Sequence, residues 1–193
     1  MMSYTSNRMP DIGPLLHLIG LHGPDLIGIE VGTFRGQSMC AMLQVCNNIK
    51  ELHGVDNWLP FNDYIGNKTY VNDNPMFAMS EAEAKINEAV AKISIDYCEN
   101  SHKAKIHHMD SYECANTFPD EHFDFVFLDT YLTADQVHKD LETWYPKVKK
   151  GGLFTGHDAH VPEVSSGLTI FRNKNNIKST MTVYADCFAW IKE

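Results

Sequence analysis

The sequence lacks the features that mark membrane-spanning, exported and nucleic-acid-binding proteins. No apolar run approaches the roughly 18 to 20 residues needed to cross a bilayer. Residues 1–10 are polar and carry no apolar core typical of a signal peptide. Acidic residues outnumber basic ones by 25 to 16, and the formal net charge is −9. This charge disfavours nucleic acid and anionic membranes as partners, because both attract positive surfaces.

Cysteine is sparse and shows no pairing pattern. An odd number of cysteines without a CxxC pair predicts neither a disulfide framework nor a structural zinc site. We therefore expect a cytoplasmic protein in a reducing environment, and 193 residues suffice for one domain over residues 1–193. The five cysteines are Cys40, Cys46, Cys98, Cys114 and Cys187.

Short apolar stretches alternate along the chain with segments of helical period. Strands are predicted at residues 26–31, 51–55, 105–109, 123–128 and 153–156, with a closing β-hairpin at 180–185 and 187–191. Nearly continuous apolar strands in a β-α-β order favour an α/β protein whose mostly parallel sheet carries helices on both faces.

Two helices are marked by capping boxes. Ser80 with Glu83, and Thr133 with Gln136, have the Ser/Thr-x-x-Glu/Gln spacing that satisfies free backbone N–H groups at a helix start. Helical spacing then predicts the buried faces. For the first helix these residues are Ile86, Val90, Ile93 and Tyr97, and for the second they are Val137, Leu141 and Trp144.

Five acids lie at or near the ends of successive predicted strands: Glu30, Asp56, Asp110, Asp129 and Asp158. Ligands of open α/β sheets bind at that edge. A single carboxylate there often caps the following helix, but five in series favour a functional edge.

The first of these acids opens a glycine-bearing loop, Glu30-x-Gly32-x-x-x-Gly36-x-Ser38. It matches neither the dinucleotide fingerprint nor the phosphate-binding P-loop. An acid before the loop and no lysine in it suit a cofactor with a positive amine and a ribose. Asp56 can accept two hydrogen bonds from ribose hydroxyls. Asn57 and Trp58 follow, and Trp58 either faces an adenine or methylsulfonium or simply packs.

Together with Gly54-Val55-Asp56, residues 125–129 and Lys150-Gly151-Gly152, this loop resembles class I S-adenosylmethionine-dependent methyltransferases. Residues 151–158 look like the subgroup that includes macrocin-type O-methyltransferases. The resemblance spans residues 25–192 and implies a Rossmann-like, seven-stranded fold with its last strand antiparallel. It places Gly32, Thr33, Gly36 and Ser38 around the methionine part of the cofactor. It also places Glu30 near the amino group, Asp56 on the ribose, and Asp110 with Ser111 beside the adenine.

Three residues are candidates for the chemistry: Asp129, His157 and Asp158. An alcohol acceptor must lose a proton, either to a general base or with help from a metal ion. Asp129 and Asp158 could supply oxygen ligands to Mg²⁺ or a similar divalent cation, while His157 is a base, a third ligand or neither. The subgroup usually continues its fourth strand as Asp-Gly-x-His-x-Tyr, where this chain has Leu132 and Ala134 at the histidine and tyrosine positions. Metal-dependent members also carry paired acids in place of His157-Asp158.

The sequence thus predicts O-methylation of a small hydroxylated molecule. The alternatives are N-methylation of a small amine, and a module that binds S-adenosylmethionine without catalysis. The aromatic-rich insert at residues 59–79 is either a lid over the acceptor pocket or a disordered or oligomer-contact loop, and a homodimer is possible.

Overall fold

The computed structural model of the chain describes residues 9–59, 80–130 and 134–193. Its strands are β1 (Leu26–Val31), β2 (Ile49–Asp56), β3 (Ala104–His108), β4 (Phe123–Leu128), β5 (Val148–Gly156), β6 (Thr182–Tyr184) and β7 (Cys187–Ile191). The α-helices are α1 (Met9–Leu21), α2 (Gln37–Val45), α3 (Glu81–Asp96), α4 (Ser111–Asn116), α5 (Ala134–Trp144) and α6 (Pro162–Lys174).

The strands form one sheet in the order β3-β2-β1-β4-β5-β7-β6. The first five are parallel, β7 runs antiparallel to β5, and β6 closes an antiparallel hairpin with β7. The predicted α/β fold with a seven-stranded, mostly parallel sheet and a C-terminal hairpin is confirmed.

Helices cover both faces of this sheet. Side chains from α1, α2 and the end of α3 pack on one face against Phe125 and Phe127. Side chains from α4, α5 and α6 pack on the other face, against Val126 and Phe154. Inward-facing residues of α5 are buried as predicted, with Trp144 fully enclosed. None of the described helices is long and apolar enough to cross a bilayer.

The order of the strands reverses between β1 and β4, which is where α/β sheets bind ligands. Backbone hydrogen bonds continue past the strand ends there. The Asp129 N–H donates to the Val31 carbonyl over 2.8 Å, and the His157 N–H donates to the Leu128 carbonyl over 2.9 Å. The residues that follow β1, β4 and β5 are therefore held side by side at one edge.

Several elements differ from the predicted ones. The strands β2 and β5 begin earlier than predicted, and the helices α1, α4 and α6 were not predicted at all. The closing strands and the N-terminus of α3 agree with the prediction. The Ser80 hydroxyl accepts from the Glu83 N–H, and the Glu83 carboxylate accepts from the Ser80 N–H over 2.7 Å, which is the capping box. Thr133, predicted to cap α5, lies outside the described residues, as does the insert beyond Leu59.

The predicted buried face of α3 is wrong. Ile86, Ile93 and Tyr97 are exposed, Tyr97 to 88%, and Val90 is only partly buried. The helix instead buries a face of smaller residues, which comprises Ala84, Asn87, Ala91 and Ile95. This face contacts the glycine loop after β1. The approach is close, since a Cβ placed on Gly36 would lie only 3.0 Å from the Ile95 side chain. Small side chains and an amide fit that close approach better than a stripe of large aliphatic ones.

Candidate active site

The loop after β1 makes its turn with two glycines in the left-handed region. Gly32 has φ 95° and Gly36 has φ 73°, conformations that glycine adopts without the steric cost of a Cβ. A Cβ on Gly32 would lie 2.0 Å from the Asp129 carbonyl oxygen. The loop is therefore in direct contact with the end of β4, and Gly32 is required for that contact.

Asp56 anchors this loop through its carboxylate. One oxygen accepts from the Phe34 N–H and the other from the Trp58 N–H, both over 2.8 Å. Phe34 and Trp58 have φ of 46° and 43°, a region in which bulky residues are outliers. Burial raises the pKa of Asp56 above its usual range, while these backbone hydrogen bonds act in the opposite direction. The carboxylate still has lone-pair capacity to accept from a further donor.

The two residues after Asp56 are tied to the same loop. The Trp58 indole is buried and donates from Nε1 to the Phe34 carbonyl over 2.7 Å. Its ring meets the His108 ring edge to face, with centroids 5.3 Å apart. The Asn57 side-chain oxygen accepts from the Leu59 N–H, and the backbone carbonyl oxygen of Asn57 lies 3.1 Å from His108 Nε2. The indole thus forms part of the loop's packing.

The remaining cofactor candidates lie in two places, the loop after β1 and the loop after β3. Glu30, Thr33 and Ser38 are all buried, with Glu30 only 1% exposed. Asp110 and Ser111 lie farther along the edge, after β3. The Asp110 carboxylate caps α4 by accepting from the backbone N–H groups of Tyr112 and Glu113.

The three predicted catalytic residues lie together after β4 and β5. His157 Nδ1 is 3.0 Å from Asp158 Oδ1 and 3.9 Å from Asp129 Oδ1. Each residue offers one ligand atom, and these atoms lie within 4.8 Å of one another. All three side chains are partly exposed at the edge, Asp158 the most at 23%. An imidazole and two carboxylates at this spacing can take up a proton or hold a divalent cation.

A third acid near this cluster was not singled out by the sequence reasoning. Asp140 in α5 is 1% exposed and lines the small pocket below Asp129 and His157. The signal was present, because helical spacing places Asp140 on the same face as Val137 and Trp144. A carboxylate on the apolar face of a helix requires hydrogen-bond partners.

The sequence belongs to a known family. The family model described as a methyltransferase domain matches residues 29–159, which run from β1 to just beyond the catalytic candidates. The chain is a member of this family, and its fold and glycine loop define it as a class I S-adenosylmethionine-dependent methyltransferase. A search of curated protein sequences found no significant match.

Solved structures share the fold at low sequence identity. The O-methyltransferase NovP is 18% identical with a TM-score of 0.65, and the match covers 96% of this chain and 79% of NovP. An O-methyltransferase from Bacillus cereus, determined in complex with S-adenosylhomocysteine, is 15% identical with a TM-score of 0.59. That match covers 92% of this chain and 79% of the other.

Proposed function

We propose that this protein transfers a methyl group from S-adenosylmethionine to the hydroxyl oxygen of a small molecule. The observation that carries this proposal is the cluster formed by Asp129, His157 and Asp158 beside the glycine loop. A hydroxyl is a poor nucleophile until its proton is removed, and this cluster supplies groups for that task. The two solved O-methyltransferases with the same fold support the choice of acceptor atom.

The loop after β1 has the features needed to hold the cofactor. When bound, S-adenosylmethionine supplies an electrophilic methyl group. Asp56 would accept hydrogen bonds from the ribose through its remaining lone pairs, and the buried carboxylate of Glu30 would stabilise the positive amino group. The contact between Gly32 and the end of β4 supports this arrangement, because it sets the cofactor loop directly against Asp129.

The full set of residues proposed to bind the cofactor extends to both sides of Asp56. It comprises Glu30, Gly32, Thr33, Gly36, Ser38, Asp56, Asn57, Trp58, Asp110 and Ser111.

Proton removal is assigned to His157 and to the neighbouring carboxylates of Asp129 and Asp158. A proton taken up by the imidazole is stabilised by Asp158 at 3.0 Å and Asp129 at 3.9 Å. The same residues would hold a divalent cation, with Asp129 and Asp158 as oxygen ligands and His157 as a nitrogen ligand, and a bound cation lowers the pKa of a hydroxyl on it. In both cases the cluster also orients the oxygen toward the cofactor loop.

Calorimetric titration with S-adenosylhomocysteine, combined with a turnover assay, tests the cofactor loop and the catalytic cluster separately. Wild type is expected to bind, and Asp56→Ala is expected to lose about 100-fold or more in affinity, since charged hydrogen bonds contribute about 1.5–3 kcal/mol each. Asp129→Asn is expected to bind within about threefold of wild type and to lose turnover on a panel of hydroxylated acceptors. Asp135→Asn, an exposed acid of α5, is the matched control and should retain both.

Three outcomes would contradict parts of this proposal, and a chelator decides between the base and the cation. A folded wild type that binds no S-adenosylhomocysteine would refute the cofactor. Methylation of amines but not of hydroxyls would replace the acceptor class. Wild-type turnover in Asp129→Asn would refute the catalytic assignment. Turnover unaffected by a chelator would eliminate the cation and leave His157 as the base, whereas loss restored by Mg²⁺ or Mn²⁺ would establish the cation.

A further inference from the structure

The buried carboxylate of Asp140 joins three elements at the active edge. Its Oδ1 accepts from the Tyr112 hydroxyl over 2.8 Å, and its Oδ2 accepts from the Thr130 hydroxyl over 2.5 Å. The Gln136 amide, one turn earlier on α5, donates to the same carboxylate over 3.3 Å. Asp140 therefore connects α5 to the loop after β4 and to the first turn of α4.

The two hydroxyl partners stand next to residues of the proposed site. Thr130 follows Asp129 directly, and Tyr112 follows Asp110-Ser111, which the proposed function places beside the adenine. The Lys139 ammonium lies over the Tyr112 ring, with its Nζ 3.5 Å from the ring centroid. The partners of Asp140 thus reach both the acceptor side and the cofactor side.

Burying a carboxylate costs free energy, because the charged group loses its hydration. Burial raises the pKa of Asp140, and the hydrogen bonds from Thr130, Tyr112 and Gln136 oppose that shift. An apolar residue in the row of Val137, Leu141 and Trp144 would pack without this cost. Two short contacts from separate elements indicate that the carboxylate fixes their relative position.

We propose that Asp140 is a positioning residue that holds the Asp129 loop and the start of α4 in one arrangement, so that cofactor and acceptor are aligned. This inference rests on the proposed function and extends it to a residue that touches neither reactant. Removal of the carboxylate should loosen α4 and Thr130 together, and cofactor affinity should fall although every cofactor-contacting side chain is retained.

The test compares Asp140→Ala with Asp140→Asn and with Val148→Ala, measured by calorimetry with S-adenosylhomocysteine well below each melting temperature. Val148 is fully buried at the N-terminal end of β5, far along the strand from the active edge. Its variant shows how much affinity is lost when stability falls without a change at Asp140. We expect Asp140→Ala to bind about tenfold more weakly. Asp140→Asn should stay within about threefold, because an amide can accept from one hydroxyl and donate to the other.

Hydrogen exchange supplies a readout that does not depend on any ligand. In Asp140→Ala, amide exchange should accelerate together at residues 111–116 and at Asp129, whose N–H bonds to β1. Exchange at these positions in Val148→Ala should rise only as far as its global stability falls. Equal exchange in the two variants would overturn the inference.

The outcomes separate this inference from the proposed function. Wild type that binds no S-adenosylhomocysteine would overturn both. Wild type that binds, with an Asp140→Ala variant of equal affinity, would overturn the positioning role alone. If Asp140→Ala does not fold, Tyr112→Phe, Thr130→Val and their double variant replace it. Non-additive losses of affinity would support the junction, and strictly additive ones would overturn it.

Discussion

The two halves of the active edge are built by different means. The half after β1 and β2 owes its shape to the backbone. Gly32 and Gly36 make the turn, and each Asp56 oxygen accepts a hydrogen bond from a backbone N–H group. The half after β4 and β5 consists of side chains, with Nδ1 of His157 near two carboxylates. The first half is a loop whose backbone conformation forms the proposed cofactor site, and the second is a cluster of titratable side chains.

This difference predicts how each half responds to substitution. A change in the backbone-built half should cost both folding and cofactor affinity, because a single loop conformation serves both. Changes in the side-chain half should cost chemistry and leave folding and cofactor binding nearly intact. The two halves meet where Gly32 contacts the Asp129 carbonyl, so the largest effects are expected there.

Gly32→Ala should have the largest effect on stability. The new Cβ would lie 2.0 Å from the Asp129 carbonyl oxygen in a residue with φ 95°, so strain and a backbone clash combine. We expect a loss of about 3 kcal/mol or more in the free energy of unfolding, measured in urea. Gly151→Ala is the matched control, because Gly151 has φ 76° but open space around its Cβ position. It should cost only about 1 kcal/mol.

Equal losses in these two variants would show that the left-handed conformation matters and the contact with β4 does not. In that case the cofactor loop and the catalytic cluster would be independent units, and the two halves of the edge would not be joined at Gly32.

Two imidazoles packed beside the cofactor half should make the stability of the fold depend on pH. Below the cofactor half, His53 is 4% exposed, with its Nδ1 2.8 Å from His107 Nε2 and its Nε2 2.5 Å from Glu51. Burial lowers the pKa of both His53 and His107. The unfolded chain therefore binds protons first as the pH falls, and stability present above about pH 6.5 is lost below it.

The expected size of this loss is at most about 1.4 kcal/mol per pH unit for each imidazole that stays neutral. Urea unfolding between pH 7.5 and 5.5 measures it. The double variant His53→Gln, His107→Gln should show a flatter dependence, whereas His102→Gln, at an exposed position, should keep the wild-type slope. A slope unchanged in the double variant would assign the loss to other groups.

The sequence was sufficient for the succession of strands along the chain and for the residues at their ends, since both depend on local pattern. Apolar runs that end in an acid are enough to identify Asp56, Asp129 and Asp158. Local pattern places Asp140 on the apolar face of α5 but does not show its role, because the two hydroxyls that bond to its carboxylate are 10 and 28 residues away. Periodicity also failed on α3, where hydrophobicity favoured Ile93 over Ile95. The tertiary contact with Gly36 decided the buried face, and no local pattern contains it.

The smallest effect is expected on this exposed face of α3. Ile93 is 58% exposed, so Ile93→Ala should change the free energy of unfolding by less than about 0.5 kcal/mol. Ile95 is buried against the cofactor loop, and Ile95→Ala should cost about 2–4 kcal/mol. Because Ile95 lies against Gly36 of the cofactor loop, Ile95→Ala should also weaken S-adenosylhomocysteine binding, which Ile93→Ala should leave unchanged. A loss of affinity in Ile93→Ala would mean that the outer face of α3 contributes to the cofactor half, and that the shape of this half does not come from the loop backbone and its buried support alone.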